Sequence, residues 1–232
     1  MNFFSHPYKA LVFGASGAIG QAFVHAFEQD PMCTHIEGIS RSSHSLFDLE
    51  RVDNFAALAQ LCQSSGPFNI IIDATGVLTS NGVGPEKSLS ALKQDPLAHS
   101  FQVNAIGPVM LLRHFAPLLA AGPSIYAKLS ARVGSISDNK LGGWYGYRAS
   151  KAAMNMLLQT AAIELQRKNP ALRLIALQPG TVRSALSKPF SAAVENLLEP
   201  EESVTGMLLA MKKAPPKQGA LFIDYKSQEI DW

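Results

Sequence analysis

Short apolar runs rich in Val and Ile alternate along this chain with longer segments in which apolar residues recur every three or four positions. The short runs have the length of strands covered on both faces, and the periodic segments have the pattern of helices buried on one side. Regular alternation of strand and helix gives a parallel sheet with right-handed crossovers. The pattern therefore predicts an α/β fold with a doubly wound parallel sheet flanked by helices. The predicted strands are residues 10–13, 36–40, 70–74, 124–130, 173–178 and 221–224.

Helical periodicity is clearest directly after the first predicted strand, where apolar residues fall on one face and polar residues on the other. No repeat, low-complexity tract or linker interrupts the chain, so the sequence predicts one continuous domain over residues 1–232. The apolar stripe of the first helix is Ile19, Ala22, Phe23, Ala26 and Phe27. Further helices are predicted at residues 52–63, 98–121, 145–168 and 200–212.

The composition excludes several classes of protein. Of the 232 residues, 47% are hydrophobic and 16% are charged, which allows a buried core and excludes a disordered chain. The 20 Lys and Arg and 18 Asp and Glu form no basic cluster, so no nucleic-acid partner is expected. Cys33 and Cys62 are too few for a disulfide framework, and the six histidines lack metal-ligand spacing. With no visible secretion signal or membrane span, the sequence predicts a cytoplasmic protein without a metal or a membrane partner.

A glycine-rich loop at residues 14–20, with the sequence GASGAIG, joins the first predicted strand to the first helix. Glycines allow a tight turn and close approach of the backbone, and a helix N-terminus presents unpaired N–H groups to an anion. This position favours a site for the pyrophosphate of a dinucleotide. The alternative is a tight strand-to-helix turn without a ligand.

The end of the second predicted strand indicates which dinucleotide the loop would take. An enzyme specific for NAD would be expected to carry an acidic residue there for the ribose hydroxyls, but the chain reads Ser40, Arg41, Ser42. A cation beside hydroxyls suits a 2′-phosphate, so the sequence predicts NADP(H) in preference to NAD(H). The alternative is that Arg41 is an ordinary exposed residue.

Tyr147 and Lys151 lie four residues apart near the start of a long predicted helix, so their side chains share one face. A phenol is a poor acid–base catalyst at neutral pH, and a nearby ammonium group lowers its pKa. Tyr147 can then donate a proton to a carbonyl oxygen or accept one from an alcohol. The spacing alone is also found in many helices without catalytic function.

Together with the glycine loop, this pair makes the chain resemble the short-chain dehydrogenase/reductase family, in the family's order and through nearly the whole sequence. The resemblance implies a single Rossmann-type domain that transfers hydride between a nicotinamide and a substrate. In the family pattern, Tyr147 is the acid–base, Lys151 orients the ribose and tunes the tyrosine, and Asn104 holds a water of the proton relay.

The same resemblance assigns the residues that bind the cofactor. Ala18 stands where the family loop usually has its middle glycine, and residues 73–76 read DATG where Asn-Asn-Ala-Gly is usual. Asp48 matches the aspartate that contacts the adenine, and residues 179–184 match the turn that contacts the nicotinamide amide. The cofactor-binding residues implied in this way are Gly14, Ser16, Gly17, Ile19, Gly20, Ser40, Arg41, Asp48, Leu49, Ala74, Gly76, Asn104, Tyr147, Lys151, Pro179, Gly180 and Val182.

One departure from the family pattern affects the chemistry. The serine that hydrogen-bonds the substrate carbonyl is normally the second of a Ser-Ser pair, but here Ser130 is followed by Ala131. Ser130 lies one residue early, which in a strand turns its side chain to the opposite face. Ser135 follows a glycine and is the other candidate if the chain folds back over the site. Ser130 and Ser135 remain equal candidates for the carbonyl donor.

Two apolar surfaces indicate partners. Met156, Thr160 and Ile163 form a second stripe on the helix after Lys151, and the resembled family commonly pairs subunits through its long helices. A homodimer or homotetramer is therefore expected. Residues 184–199 are expected to cover the site and to contact an apolar part of a small-molecule substrate, with ordinary core packing as the alternative. The apolar residues of this segment are Leu186, Pro189, Phe190, Val194 and Leu197.

Residues 135–139 and 142–145, together with the C-terminal segments 222–225 and 230–232, resemble the C-factor-like subgroup of the family. The chain is interpreted as an NADP(H)-dependent oxidoreductase acting on a carbonyl or secondary alcohol. The alternative is an NADP-binding regulatory or signalling protein with little turnover, which Ala131 and the subgroup motivate. A flavin or nucleoside-sugar enzyme is a weaker alternative, because the chain after Pro179 leaves little room for a separate substrate domain.

Overall fold

Six parallel strands form one sheet in the computed structural model of the chain, which describes residues 4–79, 82–190 and 196–232. The order across the sheet is 2-1-3-4-5-6, so the chain starts in the interior, runs to one edge and then crosses to the other side of its first strand. This confirms the predicted doubly wound α/β fold. The strands are β1 (Tyr8–Phe13), β2 (Cys33–Ile39), β3 (Ile70–Asp73), β4 (Ser124–Leu129), β5 (Leu172–Gln178) and β6 (Leu221–Asp224).

All six predicted strands are present, but β1 and β2 begin earlier than the apolar pattern indicates. The first residue of β1, Tyr8, is buried, and its hydroxyl donates to Asp30 Oδ2 at 2.9 Å. The added residues of β2 are partly exposed or exposed, because β2 is an edge strand with one neighbour. Edge strands tolerate polar residues, so the apolar pattern alone does not show where such a strand begins.

Helices cover both faces of the sheet, joined by several short 3-10 turns. The predicted helix at residues 52–63 is α-helical only in its middle, with a 3-10 turn at each end, and the predicted helix at 145–168 ends three residues early. The α-helices are α1 (Ala18–Glu28), α2 (Phe55–Leu61), α3 (Gln94–Phe101), α4 (Gly107–Phe115), α5 (Tyr145–Leu165) and α6 (Pro200–Lys213).

The prediction of one helix over residues 98–121 is wrong. The structure has α3, then a π-helical turn at Gln102–Ile106, then α4 and a 3-10 turn at Ala116–Leu118. Pro108 has no N–H for the carbonyl of Asn104, and its ring would clash there in a regular α-helix, so the wider turn accommodates it. Asn104 lies in this turn and is fully buried.

Alternating residues of the strands build two separate cores. On β1, Leu11 and Phe13 pack with α2, α4 and α5, whereas Ala10 and Val12 pack with α1 and α6. Both faces of the sheet are therefore covered, and the carboxyl ends of β1, β3 and β4 meet at one edge. The chain leaves β1 toward β2 on one side and leaves β3 toward β4 on the other, so the loops after β1 and β3 run in opposite directions and leave a crevice between them. Sheets of this kind bind ligands in that crevice.

Candidate active site

A cleft of about 390 Å³ opens at this edge, between the loops that follow β1, β2 and β3. Nine of the predicted cofactor-binding residues line it, so the structure brings together positions from three separate segments of the sequence. They are Gly14, Ser16, Gly17, Ser40, Arg41, Asp48, Leu49, Ala74 and Gly76. The cleft is also lined by Phe47, Glu50, Thr75, Val77, His99 and Val103, which sequence reasoning did not assign.

The glycine loop has a backbone that side chains would not allow. Gly14 has φ +77°, in the left-handed region, and a Cβ at Gly20 would lie 2.1 Å from the carbonyl oxygen of Gly14. Gly20 therefore lies beneath the loop as a packing residue, with Ile19 beside it in the first turn of α1. No side chain caps the start of α1 at Gly17, so its first N–H groups are available to an anion.

A cluster of serines shapes the loop after β2. The backbone N–H of Ser40 donates to Ser43 Oγ at 2.9 Å, and the Ser40 hydroxyl lies 2.9 Å from that of Ser42. Ser40 is buried, whereas Arg41 is exposed at the mouth of the cleft. The Arg41 guanidinium makes no hydrogen bond or salt bridge to any residue that the structure describes. It is therefore available for a phosphate group.

The turn after β3 connects the cleft to the predicted catalytic residues. Val77 donates its N–H to Asn104 Oδ1 and accepts from Asn104 Nδ2, both at 2.9 Å, and Nδ2 also donates to Ser150 Oγ at 3.2 Å. A Cβ at Gly76 would lie 3.2 Å from both Asn104 Oδ1 and Lys151 Nζ. Asn104 and Lys151 thus meet at the backbone of Gly76, which is itself one of the residues that line the cleft.

Tyr147 and Lys151 share one face of the first turns of α5, as predicted, with Lys151 Nζ 5.7 Å from the centroid of the Tyr147 ring. Burial raises the pKa of Tyr147 to about 12, which is opposite to the direction predicted from the spacing. The reason is that the Lys151 ammonium donates to the Leu129 carbonyl at 3.1 Å rather than to the phenol oxygen. Burial, with the positive charge of Lys128 second, lowers the pKa of Lys151 to about 7.

A buried ion pair that sequence reasoning missed lies behind the turn. Lys128 and Asp73 are both fully buried, and Lys128 Nζ donates to Asp73 Oδ1 at 2.9 Å. The same ammonium donates to the Thr75 carbonyl at 2.6 Å and to its hydroxyl at 3.0 Å, while Tyr126 donates to Asp73 Oδ2 at 3.4 Å. A signal was available, because Lys128 and Asp73 are opposite charges at the ends of two otherwise mostly apolar runs, and the register pairs them directly.

The two candidate serines have different surroundings. Ser130 is buried, and its hydroxyl donates to Asn155 Oδ1 at 2.7 Å. Ser135 is also buried, accepts from the N–H of Asp138 at 3.1 Å and lies 3.2 Å from the Ser137 hydroxyl. Its neighbour Gly134 packs on α5, where a Cβ would lie 2.9 Å from Lys151 Cβ. Ala131 is extended and partly exposed between them.

The turn after β5 is fixed by contacts from α6 and β6. The Ser203 hydroxyl donates to the Pro179 carbonyl at 2.6 Å, and Gly180 has φ +80° with Tyr225 packed against it. Val182 is buried and pairs with Leu198 in an isolated β-bridge. The predicted nicotinamide turn is therefore held rigidly at the carboxyl end of β5.

Aromatic rings lie beside Tyr147. Trp144 is 6.1 Å from the Tyr147 ring and 5.6 Å from the Phe190 ring, measured between centroids and with edge-on geometry in both cases. Phe190 thus brings the segment after β5 over the start of α5, as expected, whereas Leu186 and Pro189 are exposed. Val194 lies outside the described residues.

The expected second stripe on α5 is at the surface, with Met156 66% and Ile163 40% exposed. Among the residues that the structure describes, no three His, Cys, Asp or Glu side chains are placed to hold a metal ion. Within the same residues, no helix has the length and apolar character needed to cross a bilayer.

Comparison with known proteins agrees with this geometry. A family model described as short chain dehydrogenase matches residues 8–195. The chain is 30% identical to the C-signal of Myxococcus xanthus over 169 residues, which cover 72% of this chain and 95% of that protein. It is 27% identical to 1-hydroxy-2-glutathionyl-2-methyl-3-butene dehydrogenase of Rhodococcus sp. (strain AD45) over 177 residues, covering 76% and 74% of the two chains.

Two solved structures show the same fold over nearly the whole chain. An NADPH-bound carbonyl reductase from chicken fatty liver has a TM-score of 0.83 at 20% identity, covering 98% of this chain and 95% of that one. The carbonyl reductase Sniffer of Drosophila melanogaster has a TM-score of 0.81 at 21% identity, covering 98% and 100%.

Proposed function

Because the chain belongs to the short-chain dehydrogenase family of oxidoreductases, we propose that it is an NADPH-dependent carbonyl reductase that acts on a small-molecule substrate in the cytoplasm. The observation that carries the proposal is the meeting of Asn104 and Lys151 at Gly76, with Tyr147 on the same helix face as Lys151. This arrangement supports Tyr147 as the proton donor, Lys151 as the ribose-binding residue and Asn104 as the residue that holds the relay water.

The described residues fit a nicotinamide dinucleotide. The uncapped start of α1 leaves its first N–H groups for a pyrophosphate, and Gly14, with Gly20 packed beneath it, brings the backbone of the loop to the cleft. Arg41 would contact a 2′-phosphate, Asp48 and Leu49 the adenine, and the turn at Pro179, Gly180 and Val182 the nicotinamide amide, as in the family pattern. When bound, the cofactor supplies the hydride. NADPH is favoured by the unpartnered Arg41 and by the NADPH in the similar chicken structure.

Tyr147 is proposed to donate the proton that the carbonyl oxygen acquires during reduction. Burial raises the pKa of Tyr147 to about 12, so its phenol carries the proton at neutral pH that the carbonyl oxygen would receive. Lys151 would bind the ribose, and Asn104 would hold the relay water while its amide fixes Val77.

Ser135 is the candidate for the carbonyl donor whose own proton is not committed; it lines a cavity with Tyr145 and Ala152, and Tyr147 and Lys151 are not among the residues that line that cavity. The single hydroxyl proton of Ser130 is donated to Asn155, which leaves only its oxygen free. The Ser135 oxygen accepts from the backbone N–H of Asp138. When the Ser137 hydroxyl donates to Ser135, rather than the reverse, the Ser135 proton is available to a substrate. Gly134 holds this segment against α5 next to Lys151.

The second candidate function is an NADP-binding regulatory or signalling protein with little turnover. Ala131 at the usual serine position favours it, as does the similarity to a protein named C-signal. This candidate keeps the cofactor cleft and needs no carbonyl donor.

The test is NADPH oxidation with a panel of aldehydes, ketones and quinones, followed by absorbance, in wild type and Tyr147→Phe. We expect Tyr147→Phe to lower kcat/KM by about 10³-fold, because only the transferable proton is lost, and to keep its affinity for NADPH. Tyr145→Phe is the matched control, since Tyr145 lies two residues earlier on the same helix, is 38% exposed and should behave like wild type.

Wild-type rates in Tyr147→Phe would show that the acid–base assignment is wrong. Tight NADPH binding without turnover of any carbonyl in the wild type would favour the regulatory protein.

A further inference from the structure

The buried ion pair of Lys128 and Asp73 is not required by the packing of the strands. Burying two charges costs free energy that their attraction often does not recover, so well-packed apolar residues would serve the core at least as well. The position of the pair is specific, however, because both residues lie at the carboxyl end of the sheet, directly below the cofactor cleft.

Two ammonium groups lie at consecutive residues of the turn after β3, that of Lys128 at Thr75 and that of Lys151 at Gly76. Lys128 Nζ donates to the carbonyl of Thr75 at 2.6 Å. At the next residue, Gly76, a Cβ atom would lie 3.2 Å from Lys151 Nζ. Lys151 is also close to Lys128 along β4, because its ammonium donates to the carbonyl of Leu129, the residue after Lys128. Both lysines are buried, so little solvent screens their repulsion.

We propose that Lys128 is a positioning residue of the active site, which acts on Lys151 through its charge while its hydrogen bonds hold the turn at residues 73–76. This inference deepens the proposed function and rests on it for the role of Lys151, but the effect of the charge is a property of the chain alone. Within the described parts of the chain, the titratable groups that face Lys151 are Lys128 on β4, Asp73 on β3 and Tyr147 on α5.

The charges act on Lys151 in opposite directions. Lys128 disfavours the protonated form and Asp73 favours it, and the effect of Lys128 is the larger of the two. Together with burial, this brings the pKa of Lys151 to about 7. Lys151 would therefore lose its charge as the pH rises through neutrality, and affinity for NADPH should fall over the same range, because the anionic cofactor loses a cation.

The experiment is a pH titration of the Lys151 Cε resonance by NMR, in protein labelled with ¹³C-lysine and without cofactor. Lys151→Met identifies the resonance by its loss. The variant is Asp73→Asn with Lys128→Met, which removes both charges together so that neither remains buried alone. We expect the Lys151 midpoint to move upward, because the lowering by Lys128 is larger than the raising by Asp73, and to stay below the ordinary value for lysine, because burial remains.

Thr75→Val is the matched control, because it removes the hydroxyl that accepts from Lys128 Nζ and donates to Asp73 Oδ1 and keeps both charges. Its Lys151 midpoint should stay at the wild-type value. An unchanged midpoint in the double variant, or an equal shift in Thr75→Val, would overturn the proposal and leave Lys128 a structural residue.

Reciprocity keeps the proposal testable if the double variant does not fold. The influence of Lys128 on Lys151 must equal that of Lys151 on Lys128, so Lys151→Met should raise the midpoint of the Lys128 resonance. No change there would also overturn it.

NADPH binding, measured by fluorescence between pH 6 and 9, separates this inference from the proposed function. We expect the wild-type affinity to fall above neutrality and the fall to move to higher pH in the double variant. Absence of NADPH binding at every pH would contradict the proposed function, while the NMR titration would still decide the role of Lys128.

Discussion

The candidate site has two regions that are built in different ways, and we name them the cofactor half and the substrate half after the roles proposed for them. The cofactor half is the cleft lined by residues 14–17, 40–50 and 74–77, and it is shaped largely by backbone, through the uncapped start of α1 and the turns after β1 and β3. The substrate half comprises Trp144, Phe190 and residues 130–135 outside this cleft, and it is shaped by side chains on connections between elements. A site made by backbone has few ways to vary, whereas a site made by side chains can change its donor or its substrate while the fold stays the same.

The largest expected effect lies in the substrate half. Ser135→Ala should lower kcat/KM by about 10²–10³-fold without changing NADPH affinity, the scale of one oxyanion donor. Ser130→Ala should instead cost about 1–3 kcal/mol of stability, because Asn155 Oδ1 loses a buried partner, and leave kcat/KM nearly unchanged. Steady-state kinetics and thermal unfolding of both variants separate the two roles.

Ala131→Ser completes this comparison by placing a hydroxyl where the resembled family has one. Activity should be unchanged or higher if Ser135 already serves as donor. If both serine variants behave like wild type and Ala131→Ser creates activity, the carbonyl donor is absent from the natural chain, and the regulatory protein becomes the better description.

In the cofactor half, the next effect comes from its one exposed cation. Arg41→Ala should weaken NADPH binding by about 1.5–3 kcal/mol, the size of a charge-assisted contact, and leave NADH binding unchanged. Arg167→Ala is the matched control, because it removes an exposed guanidinium that does not line the cleft. Equal wild-type affinity for NADPH and NADH would contradict the role of Arg41.

The smallest effect tests the backbone itself. Gly20→Ala should lower the free energy of unfolding by about 1–2 kcal/mol, since its Cβ would meet the Gly14 carbonyl and the loop would have to shift. Gly17→Ala is the matched control, because its Cβ would lie 3.4 Å from that same oxygen. Chemical denaturation should show a loss in Gly20→Ala only; equal stability of the two variants would mean that the loop is more adaptable than the structure shows.

The same division explains how much the sequence could predict. The glycine loop, Arg41 and the Tyr147 and Lys151 pair are local patterns, so their positions follow once strand and helix are assigned. Asn104 was found through the family resemblance, but its π-helical turn was not, because the effect of Pro108 on the preceding turn depends on how the two helices pack.

Contacts between distant segments could not be predicted in the same way. Ser130 binds Asn155, 25 positions later, so its orientation depends on how α5 lies on β4. The direction of the Tyr147 pKa was wrong because the spacing gives the distance to Lys151 along the helix but not the aim of its ammonium group.

The registered pair of Asp73 and Lys128 has a consequence for how this chain diverges from its relatives. A change at either position alone leaves an opposite charge buried without a partner, a loss of about 3–5 kcal/mol and a large part of the stability of a typical domain. Asn at residue 73 opposite Lys128, or Met at residue 128 opposite Asp73, should therefore be less stable than the natural chain and than the double variant, so a substitution at one position is tolerated best when the other changes with it.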